Sequence, residues 1–438
     1  MGQRLIFHVD VNSAYLSWEA AKRMAEGKED IRRIPSAIGG DRDKRTGIIL
    51  AKSIPAKQYG IRTGEPVSMA LRKCPDLFLI KADFRLYSKN SRAFLEICRR
   101  FAPIVEQFSI DECFLDMSGT SAVYSDPVTA ANRLKQTIRE ELNFTVNIGI
   151  GPNKLLAKMA SDFEKPDRVH TLFAEEISEK MWPLPVGELF SVGRATAEKL
   201  NKHGIHTIGE LANRSLFDVQ NIVGFKFGKQ IHDYANGISF SPVAAVSEDA
   251  KGYSNSVTLE NDVVTKEDAY RVLLALADSV ASRMRLDGAR ASCISVTIRT
   301  NDFKNYSHQR KLSESTDVTN EIYENACRLF DELWKNNIPL RLLGIALTDL
   351  DRGGTYQLSL FEDEKKEKLK KYDKQHLVHF CLNHIFCLSF YTIASMPINS
   401  LKEKQINVTR AICQTNTNTC VGPFCFSDSF LKIKPYQS

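Results

Sequence analysis

The N-terminus carries no positively charged leader, apolar stretch or small-residue cleavage site. Met1 passes through Gln3 and Arg4 into a strand-like run, so a cytoplasmic location is expected. Structural cysteine patterns are missing too. Cys74, Cys98, Cys113, Cys293 and Cys327 stand singly and at no metal-ligand spacing, which excludes a disulfide framework or zinc module there and leaves reduced thiols. No internal repeat occurs. Strong charge of either sign is also absent: a net +6 and a pI near 8.7 are too mild to identify a polyanionic partner, so the distribution of charge must decide. What is present is length and apolar content. The 438 residues, 43% of them hydrophobic, suffice for roughly two to four packed domains.

The most informative stretch is Phe108-Ser-Ile-Asp-Glu-Cys-Phe-Leu-Asp116, which reads as a buried strand pair carrying two adjacent carboxylates, Asp111 and Glu112, at its turn. A desolvated carboxylate is costly unless a cation or hydrogen-bond donors meet it, so something cationic is expected there. Asp10 ends a second strand-like run, Leu5-Ile-Phe-His-Val9, and pairing the two runs would bring all three acids to one point. Solvated acids at a turn are the alternative reading, against which the apolar flanks speak. Three hard oxygen ligands suit magnesium, and two ions about 3.5 to 4 Å apart could activate a 3′-hydroxyl and steady a leaving pyrophosphate. Lys57, Lys158 and Lys165 could meet a triphosphate at such a site, although lone lysines are ordinarily solvated.

Apolar periodicity predicts helices over 12–24, 87–101 and 127–142, short strands over 36–40 and 46–50, and a strand over 144–151 leading into a helix that ends before Lys165-Pro166. This order implies a sheet with helices on one face. Residues 171–236 read as all-helical, with glycine opening helices in Ser191-Val-Gly-Arg-Ala-Thr-Ala-Glu-Lys-Leu200 and Gly224-Phe-Lys-Phe-Gly-Lys-Gln-Ile231. A linker over 237–250 separates a second α+β unit: helix 265–286, strands 290–299 and 307–312, helix 317–335 and strand 340–347. In its first strand Ile294, Val296 and Ile298 alternate with Cys293, Ser295, Thr297 and Arg299, giving a core face and a face able to meet a phosphate chain.

His8-Val-Asp-Val-Asn-Ser-Ala-Tyr15, Ser109-Ile-Asp-Glu112, Gly149-Ile-Gly-Pro-Asn-Lys-Leu-Leu-Ala-Lys158 and Lys165-Pro-Asp167 resemble, in order and spacing, the motifs of the Y-family DNA polymerases of bacterial polymerase IV type. The resemblance runs from about residue 4 to residue 361. It implies an α+β fold class, a multidomain right-hand polymerase of palm, fingers and helical thumb with a C-terminal α/β little-finger domain. The palm would occupy 1–10 and 82–170, the fingers 11–81, the thumb 171–236 and the little finger 251–350. By the same resemblance Asp10 and Asp111 are magnesium ligands, Val11 adds its backbone carbonyl, and Glu112 is the catalytic glutamate that completes the metal shell. Tyr15 takes the place of an aromatic steric gate that excludes a 2′-hydroxyl; otherwise it would read as a core aromatic on a helix. Lys158 and Lys165 match lysines near the triphosphate and template strand. Two departures fall in the fingers motif, where Ser53-Ile-Pro-Ala-Lys57 has Ile54 for a phosphate-binding tyrosine and Lys57 for an arginine, a point charge for a planar fork. A third is Ala14, at a position often aromatic, which leaves the floor under the nucleotide less packed.

In the thumb, the segment with Gly193 and Arg194 resembles a helix-hairpin-helix that binds DNA phosphate through backbone amides, although glycine before a helix is also ordinary capping. In the little finger, Arg290, Arg299, Arg310 and Lys311 would hold the duplex, though each alone also reads as a solvated strand-face residue. Residues 351–372 hold a segment resembling the bacterial sliding-clamp peptide, Tyr356-Gln-Leu-Ser-Leu-Phe361, and then a charged run. Leu358, Leu360 and Phe361 would enter apolar pockets while Gln357 makes polar contacts. The composition then changes abruptly. Residues 377–396 could span a bilayer, but His379, Asn383 and His384 count against it, and His376, His379, Cys381, His384 and Cys387 fit no closed zinc site. Residues 373–438 are expected to be a frame-shifted or unrelated tail, poorly folded and dispensable for catalysis.

The function expected is therefore a monomeric, template-directed translesion DNA polymerase that adds dNTPs to primer-template DNA with two magnesium ions and binds the sliding clamp and no membrane. No second acidic cluster suggests a proofreading exonuclease, so low fidelity is implied. A nucleotidyl-cyclase-like palm enzyme is an alternative that would need neither thumb hairpins, little finger nor clamp peptide. A catalytically idle DNA- or clamp-binding protein is another, against which the intact acid triad argues.

Overall fold

The structure is a computed structural model in which residues 4–40, 47–124, 126–245, 249–335 and 338–353 are described. The chain divides between Asp249 and Ala250 into two compact units. Among the described residues, no helix is long and apolar enough to cross a membrane.

The first unit begins with β1 (Ile6–Val11), α1 (Ala14–Ala25), β2 (Ser36–Gly39), β3 (Ile49–Lys52), α2 (Ile54–Gln58), α3 (Val67–Lys73) and β4 (Phe78–Lys81). It continues through α4 (Phe84–Phe101), β5 (Ile104–Gln107), β6 (Glu112–Asp116), α5 (Pro127–Leu142), β7 (Val146–Gly151), α6 (Lys154–Asp162) and β8 (Val169–Thr171). A five-stranded sheet runs β5-β6-β1-β7-β8, and a smaller one runs β3-β2-β4. β1 lies antiparallel between β6 and β7, and all six of its residues are buried, as befits a central strand covered on both faces.

That double cover corrects the expectation of helices on one face only. Phe7 and Val9 of β1 and Ile148 and Ile150 of β7 join a core with Phe94 of α4 and Leu134 and Ile138 of α5. On the opposite face Ile6 packs with Phe114 and with Ala157 of α6. The alternation along β7 makes this possible: its isoleucines face α4 and α5, while Gly149 and Gly151 leave room for α6. A Cβ on Gly149 would stand 1.9 Å from the Ala157 carbonyl oxygen and 2.4 Å from the Ser161 nitrogen. Asn153 starts α6 by accepting the Leu156 N–H at 2.9 Å.

The acidic stretch also differs from its expected form. Its turn covers 108–111, and the paired strands are β5, which the periodicity did not predict, and β6, which starts at Glu112. Ser109 shapes the turn: its hydroxyl donates to Asp111 Oδ1 at 2.7 Å, and the N–H groups of Phe108 and Ser109 both reach the Glu112 carbonyl.

Beyond β8 the first unit is helical, as expected, with α7 (Arg194–Asn201), α8 (Ile208–Asn213), α9 (Leu216–Val223) and α10 (Phe225–Ala235) around Met181, Leu200, Leu211, Val219 and Ile231. Gly193 and Gly224 directly precede α7 and α10. The second unit comprises β9 (Tyr253–Val263), α11 (Lys266–Leu286), β10 (Arg290–Thr300), β11 (Asn305–Thr316), α12 (Thr319–Leu333) and β12 (Leu340–Asp351), with sheet order β11-β10-β12-β9. β9 is an addition to the predicted elements. Cys293 keeps the face of Ser295, since the register is regular from Cys293 to Arg299, but it is buried there between its strand partners Lys311 and Thr348.

Gly149→Ala is expected to cost about 3 kcal/mol or more in urea unfolding, because backbone on both sides must move. Gly193→Ala, whose new Cβ would meet nothing within 4 Å, should change stability by no more than about 0.5 kcal/mol in the same assay.

Candidate active site

The register of β1 against β6 sets Asp10 opposite Glu112, and the Val11 N–H extends the pairing to the Asp111 carbonyl at 3.0 Å. The three acids and Val11 thus form one wall of a cleft of about 300 Å³. The start of α1 adds Ser13, Ala14 and Tyr15, and the smaller sheet side adds Leu50, Ala51, Lys52 and Thr63. Ser13 has a left-handed backbone (φ 47°) and its side chain caps no N–H of α1, so the first-turn amides stay available beside the cleft. Tyr15 is half-buried between core and cleft. Its ring stacks on Tyr87, with centroids 4.7 Å apart, and it also lines the cleft.

Two lysines meet the acids. Lys165 Nζ lies 2.5 Å from Asp10 Oδ2, and Lys158 Nζ lies 3.0 Å from Glu112 Oε2. Lys158 also sits over the rings of Phe108 and Phe190, which explains an exposed phenylalanine at the turn. His8 is fully buried, with Nδ1 2.7 Å from the Ser161 hydroxyl and Nε2 3.4 Å from Glu112 Oε2. Burial lowers the His8 pKa. Asp10 and Glu112 respond in opposite ways. Burial raises the Asp10 pKa to about 6 despite Lys165. At Glu112 burial acts in the same direction, but His8 and Lys158 together outweigh it and bring the pKa to about 2. Among the described residues no three His, Cys, Asp or Glu side chains are grouped closely enough to hold a metal ion as they stand.

Sequence reasoning missed a buried amide pair. Asn12 Nδ2 donates to Asn147 Oδ1 at 3.0 Å, and Asn147 Nδ2 donates to the carbonyls of Ser161 at 3.0 Å and Glu164 at 2.6 Å. Asn12 Oδ1 accepts the Asp167 N–H at 3.0 Å. The pair ties the loop bearing Lys165 to the strands bearing Asp10, and the available signal was one amide inside the apolar run of β7. Lys52 and Thr63 were missed as well. Lys57, by contrast, is exposed on α2 and does not line the cleft.

Family comparisons agree with this geometry. A model described as the impB/mucB/samB family matches residues 9–162, its C-terminal-domain model matches 250–360, and one described as the thumb domain of DNA polymerase iota matches 187–239. DNA polymerase IV of Clostridium acetobutylicum is 44% identical over 375 residues, covering 85% of this chain and 93% of the relative. The chain belongs to the Y-family DNA polymerases. DNA polymerase IV 1 of Bacillus subtilis is 38% identical, with 84% of this chain and 88% of the relative covered. A solved Y-family DNA polymerase chimera shares the fold at a TM-score of 0.68 and 19% identity, covering 80% of this chain and all of that one. This chain is thus a DNA-directed DNA polymerase, which sets aside the cyclase-like and catalytically idle readings.

Elsewhere in the polymerase, Arg194 is exposed at the start of α7 and pairs with Glu198 at 2.8 Å. In the second unit Arg290 donates to the Ser315 carbonyl, Arg299 to Asn305 at 2.7 Å and Arg310 to Glu332 at 2.5 Å. Lys311 lies 3.6 Å from Asp349. Adjacent strand residues point to opposite faces, so Arg310 meets Glu332 of α12 while Lys311 shares the open face with Arg299. Gln357, Leu358, Leu360, Phe361 and the segment 373–438 lie outside the described residues.

The two pKa shifts predict opposite stability effects in EDTA. For Asp10 the folded value of about 6 exceeds the ordinary 3.8, so stability is lost as pH rises through that window. Asp10→Asn should therefore raise the unfolding free energy at pH 7.5 by about 2 kcal/mol, with the gain vanishing below about pH 4. For Glu112 the folded value of about 2 lies below the ordinary 4.5, so its contribution is present above that pH and is lost on acidification. Glu112→Gln should destabilise at pH 7.5, as read from the same urea curves.

Proposed function

We propose that this polymerase carries out low-fidelity translesion synthesis by phosphoryl transfer with two magnesium ions held by Asp10, Asp111, Glu112 and the Val11 carbonyl. One observation carries the reading. Three carboxylates on paired strands form one wall of a cleft that Tyr15 and the uncapped start of α1 also line. The donor set is all oxygen, and a buried Asp10 whose pKa stays raised beside a lysine marks a demand for stronger positive charge. When bound, the ions would favour loss of the primer 3′-hydroxyl proton and take up charge on the pyrophosphate leaving group.

The protein's own groups do the positioning. Asp10 and Asp111 hold the reacting end of the cleft, and Glu112 stands nearest the primer terminus. The first-turn amides of α1 point a partial positive charge at the triphosphate, which needs no side-chain cap. The Tyr15 ring, braced by Tyr87, lies where a ribose 2′-hydroxyl would project. Lys158 and Lys165 add positive charge beside the acids, and Lys57 adds it from α2.

DNA would be held by backbone amides at Gly193, by Arg194, and by the open face of the four-stranded sheet with Arg299 and Lys311. Arg290 and Arg310 would add to the field while bonded within their unit. In this reading the first unit supplies palm, fingers and thumb, the second supplies the little finger, and the peptide with Gln357, Leu358, Leu360 and Phe361 docks on the sliding clamp. The protein works as a cytoplasmic monomer.

Primer extension with magnesium, primer-template and dNTPs tests the core of the reading. Asp111→Ala with Glu112→Ala should cut extension at least ~100-fold; equal extension by the double variant would refute it. Tyr15→Ala should lower discrimination against ribonucleotides by at least about tenfold. Unchanged sugar selection in single-nucleotide incorporation removes the gate role.

A further inference from the structure

Lys52 is the one basic residue among those lining the cleft. It ends β3, whose residues alternate between buried Ile49 and Ala51 and half-buried Leu50 and Lys52. Its ammonium donates to the Thr63 hydroxyl at 3.2 Å and forms no ion pair with a described carboxylate. The neighbouring lysines differ: Lys73, Lys154, Lys158 and Lys165 each hold an acid. An ammonium carries three donors, so two of those on Lys52 remain to be used on something in the cleft. Thr63, having accepted from Lys52, keeps its own proton to donate. Its position is secured by the next residues, because the Gly64 N–H bonds the Ile49 carbonyl at 2.8 Å and the Ile49 N–H bonds the Glu65 carbonyl at 2.9 Å.

A second cation stands close by. Burial and the charge of Lys57 lower the Lys52 pKa, and the charge of Glu65 only partly opposes them. Glu65, the acid that acts on Lys52, is itself paired with Lys73 at 2.5 Å, so an incoming polyanion would be the first direct ion-pair partner of Lys52 among the described groups. This also accounts for the altered fingers motif. With Ile54 and Lys57 in place of tyrosine and arginine, the cation that lines the cleft is Lys52 at the end of β3, and Lys57 acts only at longer range from α2.

We infer that Lys52, together with Thr63, forms a clamp for the triphosphate of the incoming nucleotide, the ammonium supplying charge and two hydrogen bonds and the Thr63 hydroxyl a third. The inference rests on the cleft being the nucleotide site. Phosphate contacts carry no base information, so the clamp serves all four nucleotides equally.

The test is equilibrium dNTP binding by the full chain on a dideoxy-terminated primer-template with magnesium, which needs no turnover. Lys52→Ala should weaken all four dNTPs by the same factor, roughly tenfold, and Lys52→Arg should restore most of it. Inhibition of primer extension by inorganic pyrophosphate should weaken in step, with primer-template affinity unchanged. Unaltered dNTP affinity in Lys52→Ala would overturn the clamp, as would a loss confined to purines, which marks a base-edge contact, or a loss of DNA affinity. Absence of dNTP binding by the unaltered protein would overturn the reading of the cleft, and the clamp with it. Binding that survives only in the unaltered protein and in Lys52→Arg supports both.

Discussion

A buried and a half-buried carboxylate facing each other across a strand pair are the constraint around which the first unit is arranged. The β1–β6 register sets Asp10 against Glu112, and burial removes much of the water that would screen the two charges, most completely at Asp10. The counter-charges come from one place in the chain. α6 carries Lys158 to Glu112, and the loop just after α6 carries Lys165 to Asp10. That delivery depends on how closely α6 approaches the sheet, and therefore on Gly149 and Gly151. The glycines belong to the electrostatics of the site as much as to its packing.

The two acids are not equally satisfied. Glu112 has Lys158 and the edge of His8, and its charge is well supported. Asp10 has a lysine at hydrogen-bonding distance, yet burial still holds its pKa near neutrality. A monovalent ammonium does not fully offset the desolvation of that carboxylate; a divalent cation with two shared acids would do better. The imbalance is what a resting site should show if its stronger ligand arrives with substrate.

The acids and most helices were legible because each announces itself locally, by charge in an apolar run or by helical period, whereas Tyr15 was singled out only by motif resemblance and locally reads as a core aromatic. What escaped were features that exist only through register. β4 and β9 lack a clear period: β4 is four residues long and part exposed, and β9 is an edge strand rich in serine, asparagine and acids. Lys52, Thr63 and Asn147 look like ordinary polar residues until strand pairing turns them toward the cleft or toward each other. Arg310 and Lys311 were named together as holding the duplex, and the strand sends the two side chains to opposite faces. The hairpin slipped by several residues because the Ser109 hydroxyl, not an apolar pattern, sets the turn.

Asp162 completes the charge balance. It is the last residue of α6, where the helix dipole disfavours an anion, yet Lys165 lies 2.8 Å from its carboxylate and Lys158 4.0 Å away. Each lysine therefore has two acids within reach, one in the cleft and one outside it. If magnesium takes over Asp10 and Glu112, neither ammonium is left without a partner, since Asp162 already lies within ion-pair distance of both. A site that exchanges protein cations for metal cations needs such a second acceptor, because an ammonium stranded beside two divalent ions would be repelled from the protein it helped to hold. Asp162 is also about half exposed, so its charge costs little to keep whether the lysines are on it or away from it. The unfavourable position at the helix end is thus the one from which both lysines can be released without being lost.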